Sequence, residues 1–128
     1  MHRVVLVGEP EMSGPGRLSI ALTDAGIDCV VAIDLPEALA TLRARPKPTA
    51  MVIDVELAEL SIEVLMRCLD QDASLKPIPR LLVSAQALPP SELKRLGARE
   101  VLPNPLGMEP LLAALKRIRV SREMKAVR

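Results

Sequence analysis

The sequence predicts an α/β domain with a doubly wound, five-stranded parallel sheet, built as (βα)5. Five short aliphatic or β-branched runs recur along the chain, and segments of helical spacing separate them. The 128 residues suit one domain with one core. Strict alternation of strand and helix implies parallel pairing, because each strand returns to the sheet through a right-handed crossover. Five units are too few for an eight-stranded barrel, which leaves an open sheet.

The strands are expected at Arg3 to Val7, Cys29 to Ile33, Ala50 to Ile53, Arg80 to Val83 and Glu100 to Leu102. Several are apolar at consecutive positions, as strands covered on both faces must be. Leu18, Ala21, Leu22 and Ala25 make a first helical stripe, stopped by Gly26. Asp34 with Glu37 three residues on, and Pro36 in the first turn, reads as the capped start of the second helix, with Pro46 marking its end. Ser61 caps a third, with Ile62, Leu65, Met66 and Leu69 on one face. Pro89, Pro90 and Ser91 open a short fourth that Gly97 closes. Met108, Leu111, Leu112, Leu115 and Ile118 form the fifth stripe. Residues 1–120 make the domain, and 121–128 read as a basic C-terminal helix extension or tail.

Composition narrows the function. Hydrophobic residues at 49% and charged residues at 26% describe a globular chain. There is no Phe, Trp or Tyr, so the core is aliphatic, helped by six Met, and no aromatic platform exists on which single-stranded nucleic acid would stack. A net charge of +1 provides no field for a nucleic-acid or membrane partner. The basic stretch of Lys116, Arg117, Arg119, Arg122, Lys125 and Arg128 reads as a solvated helix end, where cations favour the dipole. Cys29 and Cys68 lack metal-ligand spacing and read as buried free thiols of a reducing cytosol. The apolar run Val4 to Val7 is too short for a signal peptide or a span, so a cytoplasmic location is expected. His2 is the only histidine and sits at the terminus, which argues against a histidine base or triad. The glycines of Ser13-Gly14-Pro15-Gly16 have no Lys-Ser/Thr after them and read as shaping a lengthened first loop.

In a doubly wound sheet the chemistry lies beyond the carboxyl ends of the strands. Gly8 and Glu9, Asp54, Ser84 and Asn104 stand there. Val-Ile-Asp-Val at 52–55, and Pro77-Ile78-Pro79 leading into Leu-Leu-Val-Ser-Ala at 81–85, resemble the third and fourth strands of response-regulator receiver domains, the CheY-like members of the flavodoxin-like folds. The likeness covers nearly the whole chain, and the 30-residue spacing from Asp54 to Ser84 suits it. It implies that Asp54 is the phosphoacceptor position, and that Ser84 and Asn104 are phosphoryl-contact positions. Accepting a phosphoryl group requires an in-line carboxylate and cations to offset the added charge. The family's acidic pair for Mg²⁺ is replaced by Gly8-Glu9, and its Lys-Pro by Asn104-Pro105. The loop after Asp54 reads Val55-Glu56-Leu57-Ala58-Glu59, without the usual Pro and Asp-Gly, and Val101 stands where a switch aromatic is common.

The resemblance thus implies a weak Mg²⁺ site from Glu9 and Asp54, helped by the Glu56 backbone carbonyl, with Glu11 near enough to lean in. Asn104 offers a neutral amide in place of a full charge, whose charge-assisted hydrogen bond is normally worth about 1.5–3 kcal/mol. The expected function is a bacterial, non-enzymatic two-component signalling module, a pseudo-receiver with weak or no phosphorylation that acts through protein–protein contact. The alternative is a phosphorelay receiver taking a phosphoryl group on Asp54 from a histidine kinase. Its partner would be that kinase or an output protein, a homodimer staying open. Docking is expected on the face of the fourth helix, fifth strand and fifth helix, with Lys94, Arg95, Glu100, Lys116 and Arg117.

Overall fold

Five strands, Arg3–Val7 (β1), Asp28–Ala32 (β2), Ala50–Asp54 (β3), Arg80–Ser84 (β4) and Glu100–Pro103 (β5), form one sheet in the computed structural model. Their order is β2-β1-β3-β4-β5, and every neighbouring pair is parallel. The structure describes residues 3–14, 16–56 and 61–127, of which 122–127 for their backbone alone. His2, Pro15, the loop Leu57-Ala58-Glu59 and the side chains of Arg122, Lys125 and Arg128 lie outside the described residues. The helices are Leu18–Asp24 (α1), Leu35–Arg43 (α2), Ile62–Gln71 (α3), Pro90–Leu96 (α4) and Met108–Val127 (α5), so the backbone of the C-terminal stretch continues α5.

Side chains alternate along each strand, and the alternation divides the core in two. Val4, Leu6, Val52, Leu81 and Val83 face α1 and α5, meeting Leu18, Leu22, Leu111, Leu115 and Ile118. Val5, Val7, Met51, Ile53 and Leu82 face α2, α3 and α4, meeting Leu42, Leu65, Leu69 and Leu96. Central β1, β3 and β4 are therefore apolar on both sides, while edge strand β2 is half-exposed.

The caps follow the sequence closely. Asp34 accepts from the Glu37 N–H at 2.8 Å, and Ser61 from the Val64 N–H at 3.4 Å. Gly97 ends α4 in the left-handed region at φ 68°. Three expectations shift. Ala25 is exposed, because α1 closes at Asp24 with Ala25 as its cap. Leu112 is exposed, and Ala114 takes its place on the inner face of α5. Cys29 and Cys68 are free but only half-buried, Cys29 because it lies on the edge strand. Burial, and then the charges of Glu9 and Asp28, push the Cys29 thiol up to about 11.

Arg80 departs from the apolar pattern. It opens β4 only 3% exposed, and donates from Nη1 to the Leu96 carbonyl at 2.9 Å and from Nη2 to Asp70 at 2.7 Å. A strand-borne guanidinium thereby joins the end of α4 to α3.

Candidate functional site

The strand order reverses between β1 and β3, and the crevice beyond their carboxyl ends is where a doubly wound sheet places its chemistry. Gly8 leaves β1 at φ 72°, a conformation costly for any residue with a Cβ, and its N–H donates to Ala32 at 2.7 Å. Asp54 ends β3, Ser84 ends β4, and Asn104 follows β5 directly. Two backbone bonds continue the ladder past the strands, Val55 N–H to Val83 at 3.1 Å and Asn104 N–H to Ser84 at 3.1 Å. The sheet itself thus brings Asp54, Ser84 and Asn104 to one edge. The loop after β1 closes from the other side, since Leu106 N–H donates to Glu11 at 2.7 Å and Ser13 N–H to Leu106 at 3.0 Å.

Asp54 is 7% exposed. Its Oδ1 accepts the Glu56 N–H at 2.9 Å. Burial raises its carboxyl above the ordinary value, the negative charges of Glu56 and Glu11 add to this, and the Glu56 N–H only partly offsets them. Ser84 is buried, and its hydroxyl closes a local turn by donating to Gln86 O at 2.8 Å and accepting from Gln86 N–H at 3.1 Å. A hydroxyl has one proton, so its 3.3 Å contact with Glu56 Oε1 competes with the shorter bond to Gln86.

Glu56 is the residue that sequence reasoning missed, having assigned a role only to its backbone. Its Oε1 accepts the Ala85 N–H, and its Oε2 accepts Asn104 Nδ2 at 3.1 Å. Burial, the largest single influence, raises its carboxyl, but the bonds from Ala85, Asn104 and Ser84 together outweigh this and hold it below the ordinary value. Two neighbouring carboxylates are therefore shifted in opposite directions, Asp54 above its ordinary value and Glu56 below its own. The available signal was position, since a long acid two residues past a strand end reaches the adjacent strand ends.

Glu9 sits close to the edge but is turned away from it. Its Oε2 pairs with Arg17 at 2.9 Å, and its Oε1 accepts from Ser19 N–H at 3.1 Å and Ser19 Oγ at 2.9 Å. Arg17, at the N-cap of α1, provides no side-chain cap, so Glu9 caps that helix from the preceding loop. Burial works against the Glu9 carboxylate, yet the bonds from Ser19 and Arg17 keep it below its ordinary value. Mg²⁺ needs near-octahedral oxygen ligation. The Glu9 carboxylate nominated for it is already engaged by Arg17 and Ser19, which leaves Asp54 as the carboxylate of the nominated pair that no cation among the described residues holds. Among the described residues no group of three or more His, Cys, Asp or Glu converges to hold a metal, and this donor set does not fit a tight Mg²⁺ site.

On the α4, β5 and α5 face, Arg117 pairs with Glu100 through Nε at 2.9 Å, and Arg95 pairs with Glu92 and, at 3.2 Å, Glu63. Lys94 and Lys116 are exposed, with no ion-pair partner among the described residues. Val101 is half-buried against the α2, α3 and α4 core. None of the helices among the described residues is long and apolar enough to cross a membrane.

Neither the protein-family models nor the curated proteins provide a match to this sequence. Solved structures do. The chemotaxis protein CheY4 of Vibrio cholerae is 28% identical with a TM-score of 0.75, over 92% of this chain and 98% of that one. A two-component response regulator from Clostridium difficile is 17% identical with a TM-score of 0.72, over 92% and 95%. The signal receiver domain of a signal transduction histidine kinase from Syntrophus aciditrophicus is 21% identical with a TM-score of 0.69, over 92% and 89%. The chain shares with them the (βα)5 receiver fold of the CheY type.

Proposed function

We propose that this chain, CheY-like in fold, is a receiver-type signalling module that acts through protein–protein contact, with little or no phosphoryl transfer at Asp54. The observation that carries the reading is the charge at the strand ends. Phosphoryl transfer to a carboxylate adds negative charge that cations must offset. Here Asp54 faces a second carboxylate, Glu56, and a neutral amide, Asn104, while Glu9 is neutralised by Arg17. The Glu56 and Glu11 carboxylates near Asp54 oppose adding a dianion, and the donors at the strand ends are neutral.

The partner would be a histidine kinase or an output protein. The α4, β5 and α5 face suits contact with it, since these elements carry the exposed Lys94 and Lys116 and the Glu100–Arg117 pair. Mg²⁺ bound by Asp54, Glu9 and the Glu56 carbonyl would have to displace Arg17 from Glu9. The competing reading, a phosphorelay receiver, keeps its support in the buried Asp54 and the adjacent Ser84.

Incubation with Mg²⁺ and a small phosphodonor, followed by intact mass, separates the two. The pseudo-receiver reading expects no adduct at millimolar Mg²⁺. A stable adduct that disappears in Asp54→Ala would overturn it.

A further inference from the structure

We propose that Glu56 is the resident ligand of an oxyanion cradle made by the Ala85 N–H, Asn104 Nδ2 and Ser84 Oγ, which any other oxyanion must displace. The proposal concerns the same strand ends as the function above and rests on the reading that they face Asp54.

The donors come from two separate pieces of chain, the ends of β4 and β5. Ala85 follows β4, Ser84 ends it, and Asn104 follows β5, and each meets one of the two Glu56 oxygens. A backbone N–H, an amide and a hydroxyl converging on one small region are the components that stabilise oxygen-borne negative charge. A planar carboxylate fits such a set, Oε1 taking Ala85 and the weaker Ser84 contact and Oε2 taking Asn104. Each donor is neutral, so the set balances one negative charge only through dipoles. A dianion beside Asp54 would meet the Asp54 and Glu56 carboxylates, and the cradle donors carry no charge to offset it.

The tether explains why Glu56 and not a solvent anion occupies the cradle. The Glu56 N–H is bound to Asp54 Oδ1 at 2.9 Å, so the backbone is fixed at one end and the carboxylate at the other. A ligand carried on the chain arrives at high effective concentration without losing translational freedom. Glu56 is thereby tied to the ends of β4 and β5, and entry of a free anion requires its side chain to swing out. The site then has two arrangements, Glu56 in and Glu56 out, and a small oxyanion favours the second only to the extent that it outcompetes the tethered carboxylate.

The test uses the whole chain labelled with ¹⁵N, as wild type, Glu56→Ala and Glu56→Gln, titrated with sodium formate against equal sodium chloride. The Ala85 amide should lie downfield in the wild type and ignore formate. In Glu56→Ala it should move upfield and return toward the wild-type position as formate fills the cradle. Glu56→Gln should be intermediate, because its amide oxygen still accepts from Ala85 while its NH₂ group repels Asn104 Nδ2. Unchanged amides of Val52 and Leu82 establish that each variant is folded. The proposal is overturned if the Ala85 resonance is the same in all three proteins, if formate moves the wild type as far as Glu56→Ala, or if formate leaves Glu56→Ala unmoved. Formate rescue in a protein that still forms a phosphoryl adduct on Asp54 would sink the pseudo-receiver reading and support the cradle.

Discussion

Replacing Arg80 by Met keeps the long apolar stem and removes the guanidinium, so it isolates the hydrogen bonds that this buried cation makes. The Leu96 carbonyl, which accepts from Nη1 at 2.9 Å, belongs to a residue only 3% exposed and would be left without that donor. An unsatisfied buried acceptor costs about 1–3 kcal/mol. The bond to Asp70 matters less, because the Asp70 side chain is 47% exposed and rehydrates, which limits that pair to about 0–1 kcal/mol. Relief of guanidinium desolvation works in the opposite direction, so the net loss is expected near the carbonyl figure alone, about 1–3 kcal/mol. At about 2.1 cal/mol/K per residue for a chain of 128 residues, that lowers Tm by about 4–11 °C. Calorimetry, or far-ultraviolet circular dichroism with heating, reads the change, and Asp70→Asn should cost under about 1 kcal/mol. A variant melting at or above the wild-type temperature would refute the reasoning, since the desolvation of the buried guanidinium would then exceed what its bonds return.

Gly97→Ala should destabilise on two counts, the left-handed φ of 68° and a Cβ placed 2.7 Å from Arg80 Nη1. The backbone part is about 1–2 kcal/mol, and only the contact should vanish in the Arg80→Met background, so urea midpoints of the four proteins should be non-additive; strict additivity removes the contact from the explanation. Glu9→Ala should cost about 0.5–2 kcal/mol through loss of the α1 cap, and retention of full stability at neutral pH would show that Glu9 caps nothing. The Glu9 carboxyl is held below its ordinary 4.5, so the stability it contributes is present above that value and fades as pH falls through the lower folded one; the gap between wild type and Glu9→Gln should close on acidification. Asp54 has the opposite sign: its folded carboxyl is raised, so its favourable contribution exists below the unfolded value and is lost as pH rises. Asp54→Asn should therefore melt higher than wild type at neutral pH and lose that advantage as pH falls through the raised folded value to the ordinary 3.8, and an Asn variant that is no more stable at neutral pH rules out this electrostatic account.

The fold was readable because each signal that specifies it is local or periodic. Runs such as Val4 to Val7 and Leu81 to Val83 state that a strand is covered on both faces, and the Asp34 and Ser61 caps state where helices begin. The errors fell where tertiary packing decides. Leu112 continues the apolar stripe of α5 in sequence, but it turns outward, while Ala114 lies on the buried face. Arg80 opens the strand expected at Arg80 to Val83, and only the approach of α3 and α4 makes it a buried joint.

At the site, positions were legible and partners were not. That Asp54, Ser84 and Asn104 reach one edge follows from strand order and length, which alternation and spacing encode. Where a flexible acid points does not follow from either. Glu9 is equally close in sequence to a metal role and to a helix start, and the unsatisfied N–H groups of α1 settle the choice because Arg17 cannot cap them. Glu56 makes the corresponding choice at β4 and β5, where Ala85 N–H and Asn104 Nδ2 point into a region otherwise crowded with negative charge. The same neutral Asn104 that weakens the site for a dianion thus suits it to a single tethered carboxylate. Restoring a cation with Asn104→Lys should strengthen the hold on Glu56 as long as Glu56 is present, and favour a phosphoryl group only when Glu56 is removed as well. Phosphodonor labelling of Asn104→Lys alone and combined with Glu56→Ala reads this directly: a larger adduct in the double variant is the expected result, and equal labelling of the two would mean that Glu56 offers no competition.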